Sequence, residues 1–67
     1  MAVARVTEII AASKLGFEDA VRVGVARAHK TLKNVETAWV QDQKAIVKNG
    51  KVVEYRVNMK VTFILKG

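Results

Sequence analysis

Few side chains in this sequence could do covalent or acid–base chemistry. The chain has a single histidine, His29, and no cysteine, so a cysteine nucleophile, a thiolate metal site and a disulfide are excluded. Ser13 has no base near it and is interpreted as a helix cap. Glu18 and Asp19 are adjacent on a predicted helix and point to different sides, so they do not form a catalytic carboxylate pair. The glycines match no phosphate-binding loop. We therefore predict that the protein is not an enzyme.

Trp39 is the residue that most suggests binding. Successive strand residues point to opposite faces, and Trp39 shares its predicted face with Gln41, Gln43, Arg56 and Asn58. An aromatic ring among hydrogen-bonding side chains can stack on a planar heteroaromatic ligand and bind its edge. A tryptophan can equally pack in a subunit interface, and the residues alone leave both interpretations open.

The strands that would position Trp39 form a hairpin in the last third of the chain, from about residue 37 to residue 65. Asn49-Gly50 lies between two strand-like runs, and Asn-Gly is the typical signal of a two-residue type I′ turn. Such a turn fixes the register, so cross-strand pairs can be counted outward from it. The predicted pairs are Val47–Val52, Ile46–Val53, Gln43–Arg56, Gln41–Asn58, Trp39–Lys60 and Thr37–Thr62.

Asp42 does not fit this count. The count places it opposite Val57 on the apolar face, where an ionised carboxylate is costly. Either the strand has a bulge near Gln41–Lys44, or this end of the sheet is open to solvent or to a metal ion that Asp42 binds.

A strand and a helix precede the hairpin. Residues 2–12 are rich in β-branched side chains with poor alternation, which indicates a strand partly buried on both faces. From Phe17 to Val35, apolar residues recur every three or four positions and predict an amphipathic helix, with Ser13 as its N-cap or Gly16 as a competing start. A ridge of small residues along its apolar face predicts close approach to a sheet; these are Ala20, Gly24 and Ala28.

The element order predicts one α+β domain over residues 1–67, with β-α-β-β order and a three-stranded antiparallel or mixed sheet wrapped on one helix. A right-handed crossover makes the first two strands parallel, and the third, the most apolar, fits between them. A helix of about 18 residues is about 27 Å long, whereas a strand of about 13 residues reaches about 43 Å. The sheet therefore extends past the helix, and apolar ends such as Phe63 and Leu65 need other subunits.

The composition limits the cellular environments and the binding partners that can be expected for this protein. The chain has 67 residues, of which 51% are hydrophobic, and a net charge of +6. No apolar run is long enough to span a membrane and no secretory signal is visible, so we expect a soluble, cytoplasmic protein. The basic residues are spread over every element rather than clustered, so nucleic acid is not the expected partner.

The whole chain resembles the dodecins, small flavin-binding proteins of about this length. The resemblance lies in VTEIIAAS at Val6–Ser13, ARAHKTLKNV at Ala26–Val35 and EYRVNMKVTFIL at Glu54–Leu65. It implies a hollow homododecamer in which the sheet wraps the helix. It also implies that stacked flavin pairs (riboflavin, FMN or FAD) bind between aromatic rings at subunit contacts, for storage or buffering rather than catalysis.

The resemblance assigns candidate ligand positions, and two of them carry unexpected residues. Thr37 stands where flavin-binding dodecins have a stacking tryptophan, and Arg56 where they have a glutamine that hydrogen-bonds the flavin. Trp39 lies one pleat along the same face, roughly 6–7 Å away, and Asp42-Gln43 matches an Asp-Gln pair found in some members. The candidate flavin-binding residues are Thr37, Trp39, Gln43 and Arg56, and Asp42 is a candidate metal ligand.

The alternative function is that of a dodecin-like shell that binds no flavin. Such a shell would hold a metal ion or an anionic nucleotide such as coenzyme A.

Overall fold

The structure, a computed structural model that describes residues 3–65, has the four predicted elements in the predicted order. They are β1 (Val3–Ser13), α1 (Phe17–Leu32), β2 (Val35–Lys48) and β3 (Lys51–Leu65). The prediction for the first strand began at residue 2, which lies outside the described residues. The α+β fold class with β-α-β-β order is confirmed.

The three strands form one sheet in the order β1-β3-β2. β3 is antiparallel to both neighbours, so β1 and β2 run in the same direction, as the crossover rule predicts. β3 is central because its alternate residues are the most apolar in the chain, and a central strand is covered by two neighbours as well as by the helix.

The core lies between α1 and one face of β3. Every second residue of β3 points toward the helix, and the buried ones are Val57, Met59, Val61 and Phe63. On the helix, the predicted small ridge of Ala20, Gly24 and Ala28 is buried.

The helix approaches the sheet most closely at Gly24. A Cβ added there would lie 2.6 Å from Cε of Met59 and 2.8 Å from Cβ of Ala11, so the prediction of a close approach is confirmed. At the start of the helix, the rings of Phe17 and Tyr55 pack edge to face with their centroids 5.0 Å apart.

The structure differs from part of the prediction at both ends of the helix. Ser13 is not the N-cap: it ends β1, and Gly16 precedes the first helical residue. The Ser13 hydroxyl donates to Oδ2 of Asp19 at 2.6 Å and accepts from the backbone N–H of Leu15 at 2.9 Å, so it ties the strand end to the first helical turn.

At the other end, α1 stops at Leu32 rather than at Val35. The reason is local backbone geometry: Lys33 and Asn34 have φ angles of 58° and 50°, which a right-handed helix cannot contain. Val35 already belongs to β2, and the backbone N–H of Ile64 donates to the carbonyl of Asn34 at 3.1 Å.

The hairpin turn and the outer parts of the predicted register are confirmed. Asn49 and Gly50 both have positive φ, at 52° and 75°, as a type I′ turn requires. The pairs that match the count are Val47–Val52, Trp39–Lys60 and Thr37–Thr62.

The register between these matching pairs is shifted by one residue. Val53 of β3 has no partner on β2, and Gln41 of β2 has no partner on β3, so two bulges offset each other. The observed pairs are Asp42–Asn58, Gln43–Val57, Lys44–Arg56, Ala45–Tyr55 and Ile46–Glu54. The predicted pairs Ile46–Val53, Gln41–Asn58 and Gln43–Arg56, and the position of Asp42 opposite Val57, are therefore wrong.

The bulge at Gln41 resolves the anomaly of Asp42. Asp42 pairs with Asn58 on the face away from the helix, whereas Gln43 pairs with Val57 on the helix side. The bulge is the first of the two explanations that the sequence left open. Gln43 does not share a face with Trp39.

The sheet extends beyond its helix, as predicted, and leaves apolar side chains exposed. The molecule is 51 Å along its longest axis, and Ile10 and Val47 are 72% and 56% exposed. Leu65 is 45% exposed as expected, but Phe63 is only 8% exposed, so the prediction that Phe63 needs another subunit to cover it is wrong. No helix formed by residues 3–65 is long and apolar enough to cross a membrane.

Candidate functional site

The sheet face away from α1, here called the outer face, carries the candidate ligand residues. Because Val57, Met59 and Val61 point toward the helix, the residues between them on β3 point away from it. Cross-strand partners lie on the same side of a sheet, which adds side chains from both neighbours. The outer face includes Val6, Glu8, Ile10 and Ala12 of β1, Thr37, Trp39, Asp42, Lys44 and Ile46 of β2, and Glu54, Arg56, Asn58, Lys60 and Thr62 of β3.

Trp39 is the largest side chain of the outer face, and 64% of its surface is exposed. Nζ of Lys60, its partner across the strands, lies 5.8 Å from the ring centroid, a cation–π distance. Lys60 also pairs in register with Glu8 on its other side. One cation therefore holds the ring from the β3 side, and the rest of the ring is available for contact.

Thr37 lies one pleat from Trp39 and pairs with Thr62. The hydroxyl-bearing side chains of this row are short, so they leave space beside the larger ring. The prediction that Thr37 and Trp39 share a face is confirmed by their partners on β3.

A small pocket opens in the middle of the outer face, starting one row of the sheet beyond the Trp39–Lys60 pair. Its volume is about 160 Å³, and it is lined by Ile10, Asp42, Lys44, Arg56, Val57 and Asn58. Nε of Arg56 donates to Oε2 of Glu54 at 2.5 Å, so the guanidinium is held along β3 while its other N–H groups are not used by this bond.

Asn58 carries an unpartnered polar atom in this pocket. Its Oδ1 is buried, and no hydrogen-bond donor in the described part of the chain reaches it. Buried polar atoms are normally paired. The pocket thus offers the N–H donors of Arg56, whereas Oδ1 of Asn58 is covered by protein atoms.

Charges on the outer face are balanced. Arg56 pairs with Glu54, Lys60 lies opposite Glu8, and Lys44 lines the same pocket as Asp42. The face therefore suits a mostly neutral, polar-edged ring better than a highly charged anion.

The structure places three of the four predicted flavin-binding residues, Thr37, Trp39 and Arg56, on the outer face and Gln43 on the helix side. Thr37 and Trp39 are neighbours on this face, whereas Arg56 lies about 13 Å along β3 from Lys60, the partner of Trp39. Asp42, the predicted metal ligand, lies on the outer face beside Lys44 and Arg56. Within residues 3–65 there is no group of three or more His, Asp or Glu side chains that could hold a metal ion. The metal role of Asp42 stays a prediction.

Lys44 and Lys60 were not predicted as site residues. Lys60 could have been found, because the counted register already placed it opposite Trp39. Lys44 could not, because it reaches the outer face only through the two offsetting bulges.

A larger groove of about 470 Å³ runs between β1 and α1, on the helix side of the sheet. Its lining is mostly apolar, with Ile9, Val23 and Ala28 among the residues that form it. Arg27 donates to Oγ1 of Thr31 at 2.9 Å at its rim. Since its lining residues include no aromatic ring and few polar groups, the groove fits a packing contact better than a planar ligand.

Known proteins match this chain over nearly all of its length. The family model described as Dodecin matches residues 3–66. A dodecin of Thermus thermophilus is 32% identical over 59 residues, which covers 88% of this chain and 86% of that protein. The solved dodecin from Streptomyces davaonensis has a TM-score of 0.94 at 33% identity, over 98% of this chain and 97% of that one. An Arg-to-Ala mutant of the T. thermophilus dodecin has a TM-score of 0.93 at 30% identity, over 100% of both chains.

Proposed function

The chain belongs to the dodecin family, and we propose that it is a homododecameric flavin-binding protein that stores or buffers riboflavin, FMN or FAD. Dodecins are small binding proteins without catalytic activity, so the prediction that the chain is not an enzyme is confirmed. Membership of this family suggests two properties for this chain: flavin binding and assembly into a dodecamer.

The observation that carries this proposal is the exposed ring of Trp39 on the outer face. It is 64% exposed and lies one pleat from Thr37, the position that the family resemblance assigns to a stacking tryptophan. Aromatic stacking contributes about 0.5–1.5 kcal/mol beyond the area it buries. Thr37 has no ring, and the ring of Trp39 lies two residues further along the same strand. The stacking surface of this chain is therefore displaced along β2 relative to the family position.

The polar neighbours supply what a flavin edge requires. Arg56 lines the small pocket of the outer face and has N–H donors that its bond to Glu54 does not use, and a flavin ring presents carbonyl groups that can accept them. Gln43 lies on the other side of the sheet, so it remains a candidate only through contact with another subunit.

The exposed apolar residues support an assembly in which the outer face is covered by other subunits. Val6 and Ile10 are exposed on this face, as are Val47, Val52 and Val53 near the hairpin turn. Large apolar side chains that the isolated chain leaves exposed are candidates for burial at an interaction site. A flavin that stacks on Trp39 would then lie between subunits.

A flavin titration tests the proposal. We expect quenching of riboflavin and FMN fluorescence at micromolar protein, and Trp39→Ala should weaken binding by about tenfold or more, because the stacking ring is lost. Trp39→Phe is the matched control: it keeps a smaller ring and should retain most of the affinity.

Two results would contradict the proposal. Absence of quenching with the assembled wild-type protein would rule out flavin binding. Elution from a size-exclusion column as a 7.4 kDa chain would rule out the dodecamer.

No observation favours the alternative shell that holds a metal ion or coenzyme A. The cations described on the outer face each lie next to an acid, so they form no anion site. Asp42 belongs to no group of three or more His, Asp or Glu side chains within residues 3–65.

A further inference from the structure

We propose that Asn49 is a site of spontaneous chemical modification, at which the backbone nitrogen of Gly50 displaces ammonia from the Asn49 side chain and an acid is left. The reaction is independent of flavin binding, because it takes place at the hairpin turn and does not involve Trp39. The Asn49-Gly50 pair thus has a chemical role in addition to its role in fixing the strand register.

The turn leaves the reacting groups open to solvent. Residues 48–51 are all exposed, and a Cβ built on Gly50 would meet no atom within 4 Å. Asparagine is a chemically labile residue, and a glycine that follows it has no side chain to hinder the approach of its nitrogen. The attack on the amide carbon of Asn49 is therefore not obstructed by the attacking residue.

The turn also lies where the chain can open locally. The ring of the intermediate closes only when backbone rotation brings the Gly50 nitrogen within reach of the Asn49 amide carbon. Phe17, the first residue of α1, packs on Tyr55, and the turn extends beyond this contact, with exposed valines at 47 and 52 beside it. Segments with few buried contacts open at a small fraction of the free energy of global unfolding, so the reactive geometry is reached in the folded protein.

Two lysines favour the negative charge that the reaction creates. Lys48 and Lys51 lie directly opposite each other at the turn, an arrangement in which like charges repel. The deprotonated nitrogen of Gly50, the oxyanion that forms on the amide carbon and the carboxylate of the product are all negative, and nearby cations stabilise each of them. A carboxylate at position 49 also reduces the repulsion between the two lysines.

The reaction has two steps and needs only water. In the first step, a bond forms between the Gly50 nitrogen and Cγ of Asn49, the bond from Cγ to the amide nitrogen breaks, and ammonia leaves with the proton that the Gly50 nitrogen gave up. In the second step, water opens the five-membered imide at one of its two carbonyl carbons. Opening at Cγ gives aspartate, and opening at the main-chain carbonyl carbon gives isoaspartate.

The two products change the hairpin in different ways. Aspartate keeps the main chain intact and lowers the net charge of +6 by one. Isoaspartate also inserts a methylene group into the main chain, so the two-residue type I′ geometry is lost and the Val47–Val52 pairing is no longer held by the turn. The modification therefore alters the exposed apolar tip of the hairpin.

Peptide mass spectrometry of the assembled wild-type protein tests this proposal. The protein is incubated at neutral and at mildly alkaline pH and is then digested with a protease that does not cleave at lysine. We expect progressive loss of the amide at Asn49, faster at the higher pH because the attacking nitrogen must be deprotonated. Isoaspartate is detected by enzymatic methylation, and the modified protein should elute earlier from a cation exchanger.

The chain provides a matched internal control at Asn34. Asn34 is exposed and has a positive φ of 50°, close to the 52° of Asn49, but the branched residue Val35 follows it. Its amide should be retained over the same period. The variant Asn49→Gly keeps a sequence suited to the type I′ turn and should lose the signal from this peptide entirely.

Two outcomes would overturn the proposal. If Asn49 of the assembled protein keeps its amide while a short peptide with the sequence of residues 46–53 loses it under the same conditions, the folded turn protects the asparagine. If Asn34 is converted as fast as Asn49, the following glycine does not direct the reaction.

Discussion

The two faces of β3 differ in what covers them. On the helix side, Val57, Met59 and Val61 are fully buried by α1 within one chain. On the outer face, Arg56 is exposed and Asn58 and Lys60 are half-buried, and Lys60 contacts Trp39. The same strand thus provides a completed core on one side and an uncovered binding surface on the other.

This difference separates stability from binding within a single strand. Side chains on the helix side contribute through burial and close packing, so their loss leaves cavities. Side chains on the outer face are partly hydrated in the isolated chain, so their loss changes recognition more than folding. Substitutions at successive positions of β3 are therefore expected to have effects of different kinds.

The largest effect on folding is expected at Met59, which is fully buried between β3 and the helix. Met59→Ala removes core contacts and leaves a cavity, which should lower the free energy of unfolding by about 2–5 kcal/mol. Chemical denaturation of the assembled protein measures it. Lys60→Ala, at the next position on the opposite face, is the control and should cost less than about 1 kcal/mol. Equal losses at the two positions would contradict the separation of the faces.

A smaller effect on folding is expected at Gly24, where the helix meets the core. Alanine is normally the better helix residue by about 1 kcal/mol, but its Cβ at position 24 would lie 2.8 Å from Cβ of Ala11. We expect Gly24→Ala to destabilise the protein by about 1–3 kcal/mol, because the helix must move away from the sheet.

Ala26→Gly on the exposed side of α1 is the control for Gly24→Ala. It should cost about 1 kcal/mol through helix propensity alone, with no clash involved. A stabilised Gly24→Ala variant would show that Met59 and the helix adjust at no cost.

Most of the fold could be predicted from the sequence because its signals are local. Asn49-Gly50 fixed the turn, and the small-residue ridge at Gly24 indicated the close helix–sheet contact. The end of α1 was predicted wrongly, since the left-handed conformations of Lys33 and Asn34 have no glycine to signal them.

The site could be predicted only in part, because bulges are set by long-range pairing. The count from the turn is correct at Trp39 and Thr37 only because the offsets at Val53 and Gln41 cancel. Between these two offsets the counted pairs are wrong, and Asp42, Gln43 and Lys44 lie in that segment. Nothing local in the sequence marks Val53 as unpaired, so the pocket beside Asn58 could not be derived from alternation.

The smallest effect, on flavin affinity, is expected at Lys60 on the outer face. Its Nζ lies 5.8 Å from the Trp39 ring centroid. Lys60→Met keeps an unbranched side chain and removes the charge. Because an exposed cation–π contact contributes about 0.5–1 kcal/mol, flavin affinity should fall by about two- to fivefold as the ring becomes less well held. Lys60→Arg keeps the cation and should bind as wild type does, in the same fluorescence titration. A loss of more than tenfold in Lys60→Met would mean that Lys60 contacts the flavin itself, and an unchanged affinity would mean that the cation does not orient Trp39.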